Sequence, residues 1–161
     1  HRNWVLIRAF RREHGIMVSP PVLKHTSDLK LLLDPQFRWV LRQKGSGAQR
    51  FLMEVLSRFG TNAGSLNSPV IALSEREAAA AVSMDLADVA PGARATATEY
   101  GLGFIGFGWE SFDFALPRGI WFRRLFQDLV MRLKSGHCRE LAEELTGYEF
   151  MNCGDLVWGD D

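Results

Sequence analysis

A Gly-Ser-Gly turn, Gly45-Ser46-Gly47, stands between an apolar run that ends at Arg42 and a helical pattern that continues through Ala48. Those residue types at that spacing suit the binding of a small anion. Ser46 is a helix-capping residue, and Gln49 three positions later completes an S-x-x-Q capping box. Glycines let main-chain N–H groups come close to a guest, and a helix N-terminus carries about half a positive charge. Lys44 and Arg50 flank the turn and add positive charge, with a solvated surface lysine the plainer reading of Lys44. A tight strand-to-helix turn that simply caps its helix is the alternative.

Two further helix starts carry related chemistry. Ser74-Glu75-Arg76-Glu77 is a second capping box, opening an alanine-rich helix. Pro91-Gly92 follows a short apolar strand and precedes another helical stretch. Open α/β sheets place their ligands at such strand ends. Three helix starts aimed at one cleft would make a coherent anion site, although each alone also reads as an ordinary cap or turn.

Catalysis finds little support. The histidines His1, His14, His25 and His137 are scattered, and none has metal-ligand spacing. His137-Cys138 falls at the turn between two helices, where a structural role is the simpler reading. Glu13, Glu110 and Asp113 could act as paired carboxylates only if folding joined them; as isolated residues they are solvated or salt-bridged. No nucleophile elbow, phosphate-binding loop or dinucleotide fingerprint occurs, so no enzyme activity is expected.

The totals narrow the class. The 161 residues suffice for one compact domain or two small lobes, and 47% hydrophobic with 24% charged residues fits a globular chain. Lys plus Arg and Asp plus Glu both number 19, and this balance argues against direct nucleic-acid binding. No apolar run approaches the ~18 residues of a membrane helix, so no membrane partner is expected. The basic start at Arg2 lacks the apolar core of a signal peptide. Cys138 and Cys153 make no disulfide framework, which points to a reducing compartment, most simply the cytoplasm.

Strands and helices alternate along the chain. Residues 3–10 are a strand or short helix, 15–18 a strand, and 37–42 a strand leading into the Gly-Ser-Gly turn. The following helix places Phe51, Leu52, Val55, Leu56 and Phe59 on one face and ends at Gly60. Short strands are expected at 70–72, 88–90, 104–107 and 112–116. Helices are expected from Ser74 to about Leu86, over 93–100, from about Trp121 to Leu133, and around Leu141 and Leu145. Trp121, Phe122 and Phe126 read as core, or as a partner surface if their lobe lacks a layer. This alternation implies an α/β fold with mainly parallel sheets.

In order and spacing, these pieces resemble the type 2 periplasmic-binding-protein superfamily. The resemblance is nearest to the molybdate-binding type of domain found with helix-turn-helix and molybdopterin-related regulators. Arg12-Glu13-His14-Gly15-Ile16-Met17-Val18-Ser19-Pro20 is similar to its R-x-x-G-ϕ-x-V-x-P strand. Ser27-Asp28-Leu29 with Arg42-Gln43-Lys44-Gly45-Ser46-Gly47 resembles its S-x-x-D-L and R-Q-x-G-S-G core, and LysR-type effector domains share that turn. Glu77 to Val82 with Ala87-Asp88 is similar to its alanine-rich element. Tyr100 to Phe104, Phe112-Asp113-Phe114 and Gly147-Tyr148-Glu149 resemble its closing strand, hinge and end.

The resemblance implies a fold of two lobes, with residues 20–100 as the second lobe and 1–19 with 101–161 as hinge and remainder of the first. The whole of 1–161 is then one ligand-binding domain whose first lobe is incomplete. It further implies an oxyanion, molybdate or tungstate before sulfate, held by the N–H groups of Ser46, Gly47 and Ala48. Lobe closure would pass to a regulatory partner domain or a second copy. Ala48 stands where the family has Thr, and Ala90-Pro91-Gly92 replaces a glycine-rich turn. Two other readings stay open: a ligand-free interaction module derived from this fold, and the solute-binding component of an ABC importer.

Overall fold

The computed structural model describes residues 3–158, which divide into two compact units, 13–108 and 3–12 with 109–158. The chain passes between the units inside two long strands.

The first of these is β1, Trp4–Val18, a single strand where two separate elements were expected. It is followed by α1 (Pro20–His25), α2 (Leu29–Leu32), β2 (Val40–Arg42) and α3 (Gly47–Arg58). Then come β3 (Val70–Ala72), α4 (Glu75–Ser83), β4 (Val89–Ala93), α5 (Arg94–Glu99) and the second long strand, β5 (Gly103–Pro117).

In unit 13–108, strand alternation sends β1 side chains to opposite faces. Ile16 and Val18 join Leu32, Trp39, Leu52 and Leu56 in one core, and Met17 joins Val40, Ala72 and the alanines of α4 in the other. Leu52, Val55 and Leu56 repeat at helical spacing and are almost wholly buried, so each contributes ~1.5–3 kcal/mol of burial. The small side chains of Ala78, Ala79 and Ala81 put α4 close against the strands. Trp39 is fully buried, and its indole N–H donates to the Leu32 carbonyl at 2.8 Å.

β2 and β3 pair in parallel, Val40 opposite Val70 and Arg42 opposite Ala72, and Trp39 forms a parallel bridge with Val89. The long sheet is different. β1 runs antiparallel to β4, with His14 opposite Ala93 and Val18 opposite Val89. The expected mainly parallel pairing is therefore confined to β2, β3 and that bridge. Elsewhere the pairing is antiparallel, because the long strand β1 serves several partners.

The other unit takes the outer halves of β1 and β5 and adds α6 (Arg118–Trp121), α7 (Arg124–Leu133), α8 (Gly136–Glu143), β6 (Tyr148–Glu149) and β7 (Leu156–Trp158). Both β6 and β7 pair antiparallel with β1. Its core is small: Val5, Ile7 and Leu116, backed by Trp121 and Phe126. Phe122, by contrast, is 70% exposed, because the helix expected over 121–133 breaks there into α6 and α7. No helix among the described residues is long and apolar enough to cross a membrane.

Candidate functional site

Both α3 and α4 begin where adjacent parallel strands end. Gln43 locks those two ends together: its backbone N–H donates to the Ala72 carbonyl at 3.3 Å and its side chain to the Leu73 carbonyl at 2.8 Å. Arg42 Nε adds a bond to the Ala72 carbonyl at 3.2 Å.

At the mouth of α3, Gly45 takes φ +90°, a left-handed conformation that favours glycine and turns the chain into the helix. Ser46 is extended, and its Oγ accepts the Gln49 N–H at 3.1 Å, as the capping pattern requires. The box is not reciprocal, however. Gln49 Oε1 turns to the Arg42 N–H at 2.8 Å, while the Ser46 N–H donates to the Gln43 carbonyl at 3.2 Å. Ser46 is therefore removed from the expected set of three donor amides. The Gly47 and Ala48 N–H groups have no partner among the described residues.

Lys44 is exposed and makes no ion pair among the described residues, and Arg50 lies along its helix, 3.3 Å from Glu54. A cavity of about 590 Å³ follows the flank of α3, lined by Lys44, Gly45, Ser46, Arg50 and Met53 among others. Gly47 and Ala48 lie outside that lining.

At α4, Ser74 Oγ accepts the Glu77 N–H at 3.1 Å and Glu77 Oε2 accepts the Leu73 N–H at 2.7 Å. Glu75 and Arg76 are engaged elsewhere. Glu75 Oε1 accepts from the Thr96 hydroxyl at 2.5 Å, and Arg76 pairs with Glu99 at 3.2 Å, so both tie α4 to α5.

Pro91 and Gly92 do not open a helix. They are buried residues inside β4, and α5 starts at Arg94. Local sequence makes Pro-Gly a turn, but tertiary packing overrides it: the Met17 thioether fills the space beside Gly92, its Cε 2.6 Å from where a Cβ would stand.

At the end of β4 stands Arg94, which the sequence did not single out. Arg94 forms a two-pronged ion pair with Glu13 of β1, and its guanidinium lies 4.7 Å from the Phe104 ring centre. The Arg94 hydrogen bond holds the Glu13 carboxyl below its ordinary pKa, against the opposing effect of burial, and the same bond raises Arg94. A lone arginine closing the apolar stretch 89–93 was the available signal. On the opposite face of β1, the His14 ring lies 4.0 Å from that of Phe51 in α3.

Each of the three carboxylates has an arginine of its own. Glu13 belongs to Arg94, Glu110 accepts from Arg12 at 3.1 Å, and Asp113 accepts from Arg8 at 2.6 Å. Among the described residues no group of His, Cys, Asp and Glu is placed to hold a metal; His1 lies outside them.

The model of the PBP superfamily domain matches residues 1–134. The chain belongs to that superfamily. It is a periplasmic-binding-protein-like ligand-binding domain. This PBP domain superimposes on L-phospholactate-bound PEB3 with a TM-score of 0.67 at 14% identity, over 89% of this chain and 68% of that one. A glycosylated variant of PEB3 gives 0.62 at 13% identity, over 92% and 71%. The ancestral amino acid-binding protein AncCDT-1, a precursor of cyclohexadienyl dehydratase, gives 0.57 at 18% identity, over 86% and 62%. At these identities the likeness concerns the fold, which is a type 2 periplasmic-binding-protein fold. No curated protein matches the chain in sequence.

Proposed function

We propose that this PBP domain binds a small anion at the mouth of α3, with the Gly47 and Ala48 N–H groups as donors, and that it acts as a binder and not an enzyme. The single observation carrying the reading is that pair of partner-free amides at the start of a 12-residue helix. Such a helix end combines unsatisfied donors with the positive pole of the dipole.

The ligands named for the structural neighbours, L-phospholactate and amino acids, both carry a carboxylate. That supports an organic anion as the first choice here, ahead of molybdate or tungstate. Thermal melting and calorimetry with L-phospholactate, phosphate, sulfate, molybdate and tungstate at constant ionic strength test it. Anything that binds only the folded state raises the melting temperature by mass action. A rise with at least one of these anions is expected; a flat response to all of them would overturn the reading.

A second reading, an interaction module without a ligand, is favoured by the 85% exposure of Leu125 and 70% of Phe122. It predicts a stable dimer by light scattering together with no anion response.

A further inference from the structure

We propose that Cys138 and Cys153 are a paired-thiol modification site that closes to an intrachain disulfide, tying α8 to the turn that leads into β7. The proposal is independent of the anion reading.

Contacts on either side set the two segments that carry the thiols against each other. A Cβ on Gly154 would meet Lys134 Cε at 3.0 Å and Val130 Cγ1 at 3.2 Å, so this glycine rests on the end of α7. Lys134 Nζ also binds Asp155 at 2.7 Å. At the other end, Arg139 and Ala142 of α8 line one small cavity with Phe150 and Met151. Cys138 lies between Lys134 and Ala142, and Cys153 lies between Met151 and Gly154. The segments 134–142 and 150–155 are thus held side by side, antiparallel, on either side of the two cysteines.

Side-chain direction agrees. Cys138 precedes the buried Ala142 by one helical turn, on the same face of α8, and is itself partly covered. Cys153 is 5% exposed. Its turn is anchored by the Cys153 N–H on the Phe150 carbonyl at 3.0 Å and the Gly154 N–H on the Arg8 carbonyl at 2.7 Å. Burial pushes the Cys153 thiol above its ordinary pKa, and the nearness of Cys138 adds to the effect.

The unequal exposure sets the order of events. The Cys138 thiolate attacks a small-molecule disulfide such as oxidised glutathione, forming a mixed disulfide and releasing one thiol. Cys153, deprotonated, then attacks the Cys138 sulfur and releases the second. Two protein thiols lose two electrons and two protons, and the oxidant's disulfide becomes two thiols. The bond closes the loop 138–153 and removes freedom from the unfolded chain. A reducing compartment keeps the pair open; an oxidising one closes it.

The test equilibrates the full chain in glutathione buffers of graded ratio, quenches in acid, and counts thiols by maleimide labelling and intact mass. The expected product is a monomer that has lost two thiols and two hydrogens, carries no glutathione and melts higher than the reduced form. Closure is expected at ratios where the urea-unfolded chain keeps both thiols. Cys138→Ser and Cys153→Ser should each retain the lone thiol or carry a mixed disulfide; the wild-type counts decide even if neither folds. Two countable thiols in the most oxidising buffer, a bond between chains, a persistent glutathione adduct, or equal closure in folded and unfolded chains would each overturn the proposal.

Discussion

Gln49 Oε1 accepts the Arg42 N–H at 2.8 Å, so the first turn of α3 is bonded back to the last residue of β2. This is the bond that fixes where the helix mouth stands relative to the sheet. Gln49 is largely buried, so truncating it leaves the Arg42 N–H without its acceptor. Gln49→Ala is expected to cost about 1–3 kcal/mol, read as a lower urea midpoint at unchanged m. Gln49→Glu keeps an acceptor at the positive helix end and should lose less. Equal losses in the two variants would mean that packing, and not this bond, sets the cost.

Gly15 in β1 lies directly against the Ile105 carbonyl of the backbone, with no room for a Cβ. The obstacle is main chain and cannot swing aside. Gly15→Ala should therefore cost about 3 kcal/mol, the upper end of overpacking in a core. Gly119 in α6 has open space where its Cβ would go, and Gly119→Ala should be neutral or stabilising by up to ~1 kcal/mol. Paired urea titrations compare the two substitutions.

The Glu13–Arg94 pair gives a pH dependence of known sign. The Arg94 hydrogen bond lowers the folded-state pKa of Glu13 from an ordinary value of 4.5. A depressed carboxylate stabilises the fold above its unfolded pKa, and this stability is lost as pH falls through the lower folded value. Glu13→Gln should thus be destabilising at neutral pH, with the deficit shrinking below about pH 4.5. Asp88 titrates in the same direction: burial alone would raise it, but the bonds from Arg38 outweigh burial. Subtracting wild type from variant at each pH removes that contribution. A deficit constant from neutral to acid pH would show that the charge plays no part.

The elements that read most clearly in the sequence were those decided by short-range chemistry. Ser46 and Ser74 cap their helices through the amides of Gln49 and Glu77, three residues on. The apolar face of α3 follows directly from the spacing of Leu52, Val55 and Leu56. What local reading missed was decided at long range. The run Arg11-Arg12-Glu13-His14 looks too polar for the middle of a strand, yet β1 runs straight through it. Its charges are met by Glu149, Glu110 and Arg94, which are 138, 98 and 81 residues away. Pro91-Gly92 was misread for the same reason, since the space that Met17 needs is invisible in a local window. The partners of Glu75 and Arg76, Thr96 and Glu99, lie on another helix, where a local window does not reach.

Gly47 offers a substitution that removes one donor and little else. It is the first residue of α3, where proline is well tolerated because that N–H makes no intrahelical bond. A residue before proline must be extended, and Ser46 already is, at φ −71° and ψ 146°. Gly47→Pro should therefore fold with unchanged or slightly higher stability while abolishing any anion-dependent rise in melting temperature. Ala48→Thr keeps its N–H and adds a hydroxyl beside it, so the response should persist or strengthen. Ser46→Ala removes the cap and should cost about 1 kcal/mol of stability. It leaves the Gly47 and Ala48 amides in place, so the anion response should survive in a less stable background. Calorimetric titration of the three variants against the same anions separates helix integrity from donor chemistry. A normal response in Gly47→Pro would place the anion somewhere other than the mouth of α3.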